Sequence, residues 1–414
     1  MLLAHLLRRL ICRGTLRLTD AAGRVHVFSG EPGPVFSIHL HDKATERQLL
    51  FNPRLYLGEA FMNGRLTVEG ASIYELLEFF AANMNAAPPN VLSPLYNGFG
   101  RAFRFFWQYN PIGRSRQNVA HHYDLSDTLY DLFLDRDRQY SCAYFTTPDQ
   151  TIDQAQADKK RHIAAKLLLK PGQRVLDIGC GWGGMALYLA KECGVDVTGL
   201  TLSVEQLRVA ERRAAAAGLA NSVRFKLLDY REETGRYDRI VSVGMFEHVG
   251  VPQYRTFFDK IKELLTEDGV ALLHSIGRSD GPAATNPWMR KYIFPGGYSP
   301  ALSEVVPVIE HTGLFMTDIE VLRLHYAATL RAWRTRFLAA RDRVIALYDE
   351  RFCRMWEFYL AASEIAFRHQ GHVVYQIQLS RKVDAVPLTR DYMFDFERSH
   401  SAPQAADHSG HAAA

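Results

Sequence analysis

Apolar and polar positions divide this chain into two regimes. From about residue 120 onward, short apolar runs recur, most of them separated by helix-like stretches. The runs are Arg174–Ile178, Val195–Leu200, Val223–Leu228, Arg239–Val243, Val270–Ile276, Thr317–Arg323 and Val373–Ser380. Apolar strands that alternate with helices predict a parallel sheet covered on both faces. Long helices are expected at about 328–347 and 350–369, ahead of the last strand. The first 80 residues read differently. Leu16–Thr19, Val25–Phe28 and Val35–Leu40 alternate, with Gly23, Gly30 and Pro32–Gly33–Pro34 as punctuation. Helical segments follow at Pro53–Met62 and Ile73–Asn83, which makes this a small α+β domain. Three prolines and Asn90 within 86–94 read as a linker. The expected division is a domain and linker over 1–110, a larger domain over 111–398, and a disordered tail over 399–414 rich in His, Ala, Ser and Gly.

The first strand of the large domain runs into Asp177-Ile-Gly179-Cys180-Gly181-Trp-Gly183, and a helical stretch follows from Gly184. A turn built on glycines lets backbone N–H groups approach a ligand. Asp177, just inside the strand, biases that site toward a cation and against a dinucleotide pyrophosphate. S-adenosylmethionine, with its sulfonium, ammonium and carboxylate, suits it. Seven strands then suit a Rossmann-like class I methyltransferase sheet in the α/β class, with the last strand inserted antiparallel. Ligands of such sheets sit beyond the carboxyl ends of the strands. After the second strand stand Thr201, Ser203 and Gln206, where many nucleotide-binding sheets place a ribose-binding acid; Asp196 lies at the wrong end of that strand. After the third come Asp229 and Tyr230, suited to an adenine amino group and face. After the fourth come Gly244, Phe246, Glu247 and His248, and after the fifth His274 and Ile276.

Charge narrows the partners. A formal net charge of +4 does not make a polycation, so nucleic acid is not expected as a partner. The arginines are clustered, at Arg8, Arg9, Arg13 and Arg17 and again across 323–368. Such clusters are either solvated helix faces or sites of attraction to lipid phosphate. The basic, aromatic segment 99–109 reads equally as an interfacial helix or as a packing helix between domains. The five cysteines (Cys12, Cys142, Cys180, Cys193, Cys353) form neither a disulfide framework nor a metal-ligand spacing, which suggests a reducing cytoplasm and no metal. The leucine-rich N-terminus is cut by Arg8 and Arg9 and lacks a cleavage site. No run reaches the roughly 18 apolar residues of a membrane span, so any membrane contact is expected to be peripheral.

Several separated segments resemble the cyclopropane-fatty-acyl-phospholipid synthase family, which includes the mycolic acid cyclopropane synthases. They are His122-Tyr123-Asp124, Tyr140-Ser141-Cys142-Ala143-Tyr144-Phe145, the glycine turn, Leu200-Thr201-Leu-Ser203 with Gln206, and Phe246-Glu247-His248-Val-Gly250. Further on come His274-Ser-Ile276-Gly277, Lys291-Tyr-Ile-Phe294-Pro295-Gly296-Gly297, and Tyr326 ahead of Thr329 to Trp333. The resemblance covers about 115–395 and implies a specific reaction. A methyl passes from S-adenosylmethionine to the cis double bond of a phospholipid acyl chain, and the resulting carbocation loses a proton to bound bicarbonate as a cyclopropane ring closes. It implies bicarbonate ligands at Cys142, Glu247, His274, the Ile276 backbone and Tyr326. It also implies cofactor contacts from Tyr140, Ser141, Cys180 and Phe246, and a homodimer at the bilayer surface on the cytoplasmic side. One departure stands out. Many relatives have cysteine in a Tyr-Leu-x-x-Cys setting where this chain has Tyr359-Leu360-Ala-Ala-Ser363, which argues against an essential cysteine there. Rival readings are an acyl-chain methyltransferase with a methyl-branched or methylene product, a small-molecule methyltransferase, and a catalytically silent lipid-binding protein.

Overall fold

The computed structural model describes residues 2–86 and 126–400. The 99–109 segment, the His122-Tyr123-Asp124 motif and most of the linker lie outside the described residues, as does the tail from 401.

A seven-stranded sheet is formed by β5 (Arg174–Ile178), β6 (Asp196–Thr201), β7 (Val223–Leu227), β8 (Tyr237–Val243), β9 (Leu265–Arg278), β10 (Phe315–Val321) and β11 (His372–Ser380). Its order is β7-β6-β5-β8-β9-β11-β10. Only β11 is antiparallel to its neighbours, β9 and β10. The expected Rossmann-like methyltransferase sheet is therefore present, with its late strand inserted antiparallel. The strand order reverses beside β5, which pairs with β6 on one side and β8 on the other. A ligand cleft opens at such a switch point.

Alternation along the strands divides the core. Val175, Val241 and Leu272 face α6 (Ile152–Leu167) and α7 (Gly184–Cys193), while Leu176, Ile178, Ile240 and Leu273 face α9 (Tyr254–Leu264) and α11 (Leu302–Glu310). The helix α8 (Val204–Ala216) starts at the N-cap Ser203, whose side chain accepts from the Gln206 N–H.

The N-terminal unit is α1 (Leu2–Leu10), β1 (Arg13–Thr19), β2 (Val25–Ser29), β3 (Glu31–Leu40), α2 (Lys43–Phe51), α3 (Pro53–Met62), β4 (Leu66–Glu69) and α4 (Ile73–Ala86). Its sheet order is β2-β1-β3-β4. Pro32 and Pro34 lie inside β3, where they were expected to break it. The β4 pairing reaches only Ser37–Leu40, and on the β1 side the register shifts between the pairs Arg13–Glu31 and Thr15–Val35, so the prolines sit in a bulge that needs no donor.

A short helix α5 (Asp127–Phe133) opens the large domain, and α10 (Pro287–Tyr292) follows β9. The expected helix 328–347 is two helices, α12 (His325–Ala339) and α13 (Arg341–Leu347). The expected 350–369 helix is α14 (Glu350–His369), and α15 (Asp391–Ser399) closes the described chain. Helix α14 lies against α3, α4 and α12, so the two domains share one core running from Leu3 through Leu76 to Trp333 and Trp356. Gly58 in α3 permits this approach, since a Cβ there would lie 2.6 Å from Trp288 Nε1 and 2.7 Å from Phe358.

Candidate active site

The turn after β5 carries Gly179, Gly181 and Gly183 at φ of +83°, +53° and +82°. Its Gly179 and Cys180 N–H groups both donate to the Leu200 carbonyl, at 3.0 and 2.8 Å, which pins the turn to β6. The three glycines serve different ends. A Cβ on Gly179 would lie 2.7 Å from Met245, and one on Gly183 would lie 2.7 Å from the Phe225 ring. A Cβ on Gly181 would meet nothing within 4 Å, because that residue faces an open pocket. Gly179 and Gly181 line this pocket with Cys180; Gly183 does not, and its role is to let α7 start against Phe225.

Asp177 lines the same pocket, and its Oδ2 is buried without a hydrogen-bond partner. Burial pushes its carboxyl up to about 7. An orphaned acid beside an open glycine cradle fits the ammonium end of S-adenosylmethionine. Thr201 and Gln206 line the pocket too, with Thr201 Oγ1 donating to Gln206 Oε1 at 2.9 Å. Asp229 and Tyr230 lie at the end of β7 as expected. The Asp229 carboxylate is held by Arg231, through its N–H (3.0 Å), Nε (2.8 Å) and Nη2 (2.7 Å).

Besides Gly183, two more expected cofactor contacts are corrected. Ser203 caps α8 and does not line the pocket. Phe246 is fully buried on the far side of its turn, stacked on Tyr254 at 4.5 Å between ring centroids. Its apolar ring belongs to the core beneath the sheet, not to the ligand.

A second cavity, of about 880 Å³, meets the first. Tyr140, Ser141, Gly244 and His248 line both. Cys142, Glu247, His274, Ile276 and Tyr326 all line the larger one, so five residues spread over 185 positions of sequence converge on one space. Glu247 sits in a single 3-10 turn after β8. Its Oε1 accepts from the Ile276 N–H at 2.6 Å, while Oε2 is buried without a partner. Burial pushes this carboxyl up to about 7. The Ile276 N–H is thus spent on Glu247, which corrects its expected role as a direct anion donor; it positions the acid instead. On neighbouring β11, Gln376 Nε2 donates to His274 Nδ1 at 3.1 Å, which leaves the ring proton on Nε2. Burial pushes His274 well below its usual range, so it is a neutral donor. Burial raises the Cys142 thiol far above its usual range, and its Sγ donates to the Ala143 carbonyl at 3.3 Å. Tyr326 stands edge-on to Trp333, with centroids 5.9 Å apart.

Beyond these residues the cavity has an apolar, aromatic stretch and a polar end with Arg54, Arg278, Asp280 and His372. The Tyr140 and Tyr359 hydroxyls are 2.8 Å apart, and Phe294 meets Tyr359 edge-on at 5.8 Å. Ser363 lines the cavity, whereas Cys353 is buried in the core away from it. The N-terminal domain supplies one wall through Leu3, Leu7 and Leu10 of α1, Leu57 of α3 and Leu77 of α4.

Sequence reasoning missed Lys159. This fully buried lysine donates to Gln139 Oε1 (2.6 Å) and Ser141 Oγ (2.8 Å), directly behind the segment shared by both cavities. Burial lowers it to about 8. Sequence reasoning named His248 after the fourth strand but gave it no role; the residue lines both cavities and is lowered to about 4 by burial. Its position after β8 was the available signal.

The chain matches known proteins in both sequence and fold. A family model described as mycolic acid cyclopropane synthetase matches residues 112–377, and one for a domain of unknown function matches 9–88. The chain is 38% identical over 340 residues to the cyclopropane-fatty-acyl-phospholipid synthase of Escherichia coli K12, covering 82% of this chain and 86% of that one. It is 36% identical over 391 residues to tuberculostearic acid methyltransferase of Mycobacterium tuberculosis, covering 91% and 90%. A crystal structure of a mycolic acid cyclopropane synthase complexed with SAH and CTAB superposes with a TM-score of 0.61 at 34% identity, over 66% of this chain and 99% of that chain. The chain belongs to the mycolic acid cyclopropane synthetase family and is an S-adenosylmethionine-dependent methyltransferase.

Proposed function

We propose that this enzyme closes cyclopropane rings on cis double bonds of phospholipid acyl chains. The observation that carries the reading is the large apolar cavity that meets the cofactor pocket at Tyr140, Ser141, Gly244 and His248, with Cys142, Glu247, His274 and Tyr326 in its wall. Each methylene left in water instead of an apolar surrounding costs about 0.8 kcal/mol. An apolar cavity therefore lets a chain leave the bilayer at little cost.

S-adenosylmethionine would supply the methyl group at the shared rim. An alkene is a weak nucleophile, and holding it in line can supply about 7–11 kcal/mol of the barrier. The walls around Tyr140, Tyr359 and Phe294 fix the chain and exclude water. Their ring faces favour the positive charge left on the acyl carbon. A bicarbonate would accept the proton lost from the transferred methyl. Donors from His274 Nε2 and Tyr326 suit its oxygens, the Cys142 thiol can join them by turning from the Ala143 carbonyl, and the unpartnered Glu247 Oε2 suits its hydroxyl. Gln376 fixes the His274 tautomer, and the Ile276 N–H fixes Glu247.

No helix among the described residues is long and apolar enough to cross a membrane. Arg8 and Arg9 are exposed on α1, whose leucines enter the cavity. That arrangement supports approach to an anionic bilayer surface. The test is incubation with S-adenosylmethionine and dioleoyl phospholipid vesicles, followed by mass spectrometry of the acyl methyl esters. A gain of CH₂ with no remaining double bond is expected. A product of that mass that keeps a double bond sinks ring closure and supports the methyl-branching chemistry suggested by the tuberculostearic relative.

A further inference from the structure

The polar end of the large cavity holds a cation that no acid among the described residues neutralises. Arg54, in the first turn of α3, lines the cavity, and no acid pairs with it among the described residues. Arg54 is exposed at the end of the cavity it lines, where partial desolvation, and after it the neighbouring cation Arg278, the last residue of β9, lower its guanidinium. Arg278 is matched by Asp280, through Nε (2.8 Å) and Nη2 (2.6 Å). Asp280 is held close to the chain at Gly371, where a Cβ would lie 2.2 Å from its carboxyl carbon. Next to Gly371, His372 lies opposite Arg278 in the β11–β9 ladder. The His372 Nδ1 is buried without a partner, and burial together with Arg278 lowers the ring to about 4. Two guanidiniums, one carboxylate and a neutral imidazole leave one net positive charge, which matches the single negative charge of a phosphodiester.

Position along the cavity points the same way. His274, Ile276 and Arg278 share one face of β9, since strand side chains alternate. His274 is buried, Arg278 is half-buried and Asp280 is exposed, so this face runs from the reacting centre to the mouth. Four residues of strand span about 13 Å. In a bilayer with a hydrocarbon core of about 30 Å and a total thickness of about 40–45 Å, the middle of an acyl chain lies about 11–15 Å below the phosphates. A lipid with its phosphate at Arg278 thus reaches the Glu247–His274 region with the middle of its chain.

We propose that Arg54, with Arg278 and His372 beside it, is the subsite for the lipid phosphodiester. It sets the depth at which the double bond meets the reacting centre. The proposal rests on the phospholipid reading above and specifies its recognition. The test is equilibrium binding of dihexanoylphosphatidylglycerol below its micelle-forming concentration. It is followed by tryptophan emission, since Trp288 lines the same cavity. Arg54→Glu is expected to weaken binding about tenfold or more, Arg54→Gln less, and Arg54→Lys least. Dihexanoylglycerol, which lacks the phosphate, should bind the wild type and all three variants equally. Equal losses for both lipids, or no loss for either, overturn the subsite. Millimolar inorganic phosphate should leave the emission and the lipid affinity unchanged; an Arg54-dependent response to it would mark a free-phosphate site and overturn the lipid assignment. Turnover of dioleoyl phospholipid by the wild type is measured in parallel. Its absence overturns the functional reading, while the ratio of the two lipid affinities decides the subsite.

Discussion

Glu247→Gln should stabilise the free protein at alkaline pH while removing its activity. The Glu247 carboxyl is raised from 4.5 to about 7 by burial, and its Oε2 has no partner. The sign follows from linkage. An acid whose folded value is raised binds its proton more tightly in the folded state, so stability falls as pH rises from 4.5 to about 7. A shift of that size corresponds to about 3 kcal/mol of destabilisation, complete above pH 7 and absent below 4.5. Glutamine keeps an oxygen for the Ile276 N–H and carries no charge to desolvate. The variant should therefore melt higher than the wild type by roughly 3–5 °C at pH 8, and by almost nothing at pH 4.5. Activity should move the other way. Glutamine presents an amide where the cavity now presents an unpartnered carboxylate oxygen. Loss of such a group from a proton-transfer site lowers turnover by about 100-fold or more. Calorimetric melts at the two pH values, with mass spectrometry of the acyl product, measure both effects. A variant with wild-type turnover, or with the same melting difference at pH 4.5 and pH 8, would refute the assignment of a strained acid to Glu247.

Other perturbations separate the roles of neighbouring groups. Gly181→Val places a branched side chain at φ +53° in the open cofactor pocket, at a strain of about 1–3 kcal/mol. Titration calorimetry should show S-adenosylmethionine affinity reduced at least tenfold. Gly183→Ala should act first on stability, because its Cβ meets Phe225 at 2.7 Å instead of the pocket. Cys142, buried and with its thiol pushed far up, should stay unmodified by iodoacetamide at pH 8 in the native protein, while the half-exposed Cys12 reacts; peptide mass spectrometry reads both. The last helix should loosen with alkali. His162 bonds Glu397 of α15 at 2.5 Å and Glu320 at 2.7 Å, with Lys166 on Glu320 and Tyr144 stacked on the imidazole. Burial opposes the His162 charge but these carboxylates outweigh it, so its value rises above 6.5; burial likewise opposes, and His162 outweighs, in lowering Glu320 from 4.5 to about 2. The contribution of His162 is full below 6.5 and lost as pH rises through its folded value; that of Glu320 is full above 4.5 and lost toward about 2. Hydrogen exchange of Asp391–Ser399, corrected for intrinsic rates, should show more protection at pH 6 than at pH 9. Equal protection would remove His162 as the anchor.

What the sequence disclosed was what local spacing encodes. The β5 turn was legible because Asp177 and the glycines form one contiguous strand–turn–helix unit, whose backbone needs are set by φ alone. The convergence of Cys142, Glu247, His274 and Tyr326 was legible through family resemblance: β8 and β9 carry Glu247 and His274 to the cavity, while Cys142 comes from the segment before α6 and Tyr326 from α12. Errors arose where packing decides. Phe246 follows a strand end as a ligand-binding residue would, but its ring is captured by Tyr254 on α9, and no local spacing fixes the rotation of that helix. Lys159 reads as a solvated charge in a polar helix, yet α6 presents it to Gln139 and Ser141. Arg54 and His372 come to one cavity through the β9–β11 register and the docking of α3, neither of which leaves a trace in either segment.

The N-terminal leucines show most clearly why function escapes a local reading. As sequence they resemble a truncated leader. In the fold, Leu3, Leu7 and Leu10 form one face of α1 and line the large cavity together with residues of the methyltransferase domain. The cavity is thus a property of both domains. An aspartate at Leu7 would place a charge against the acyl chain while leaving the cofactor pocket, which contains no N-terminal residue, intact.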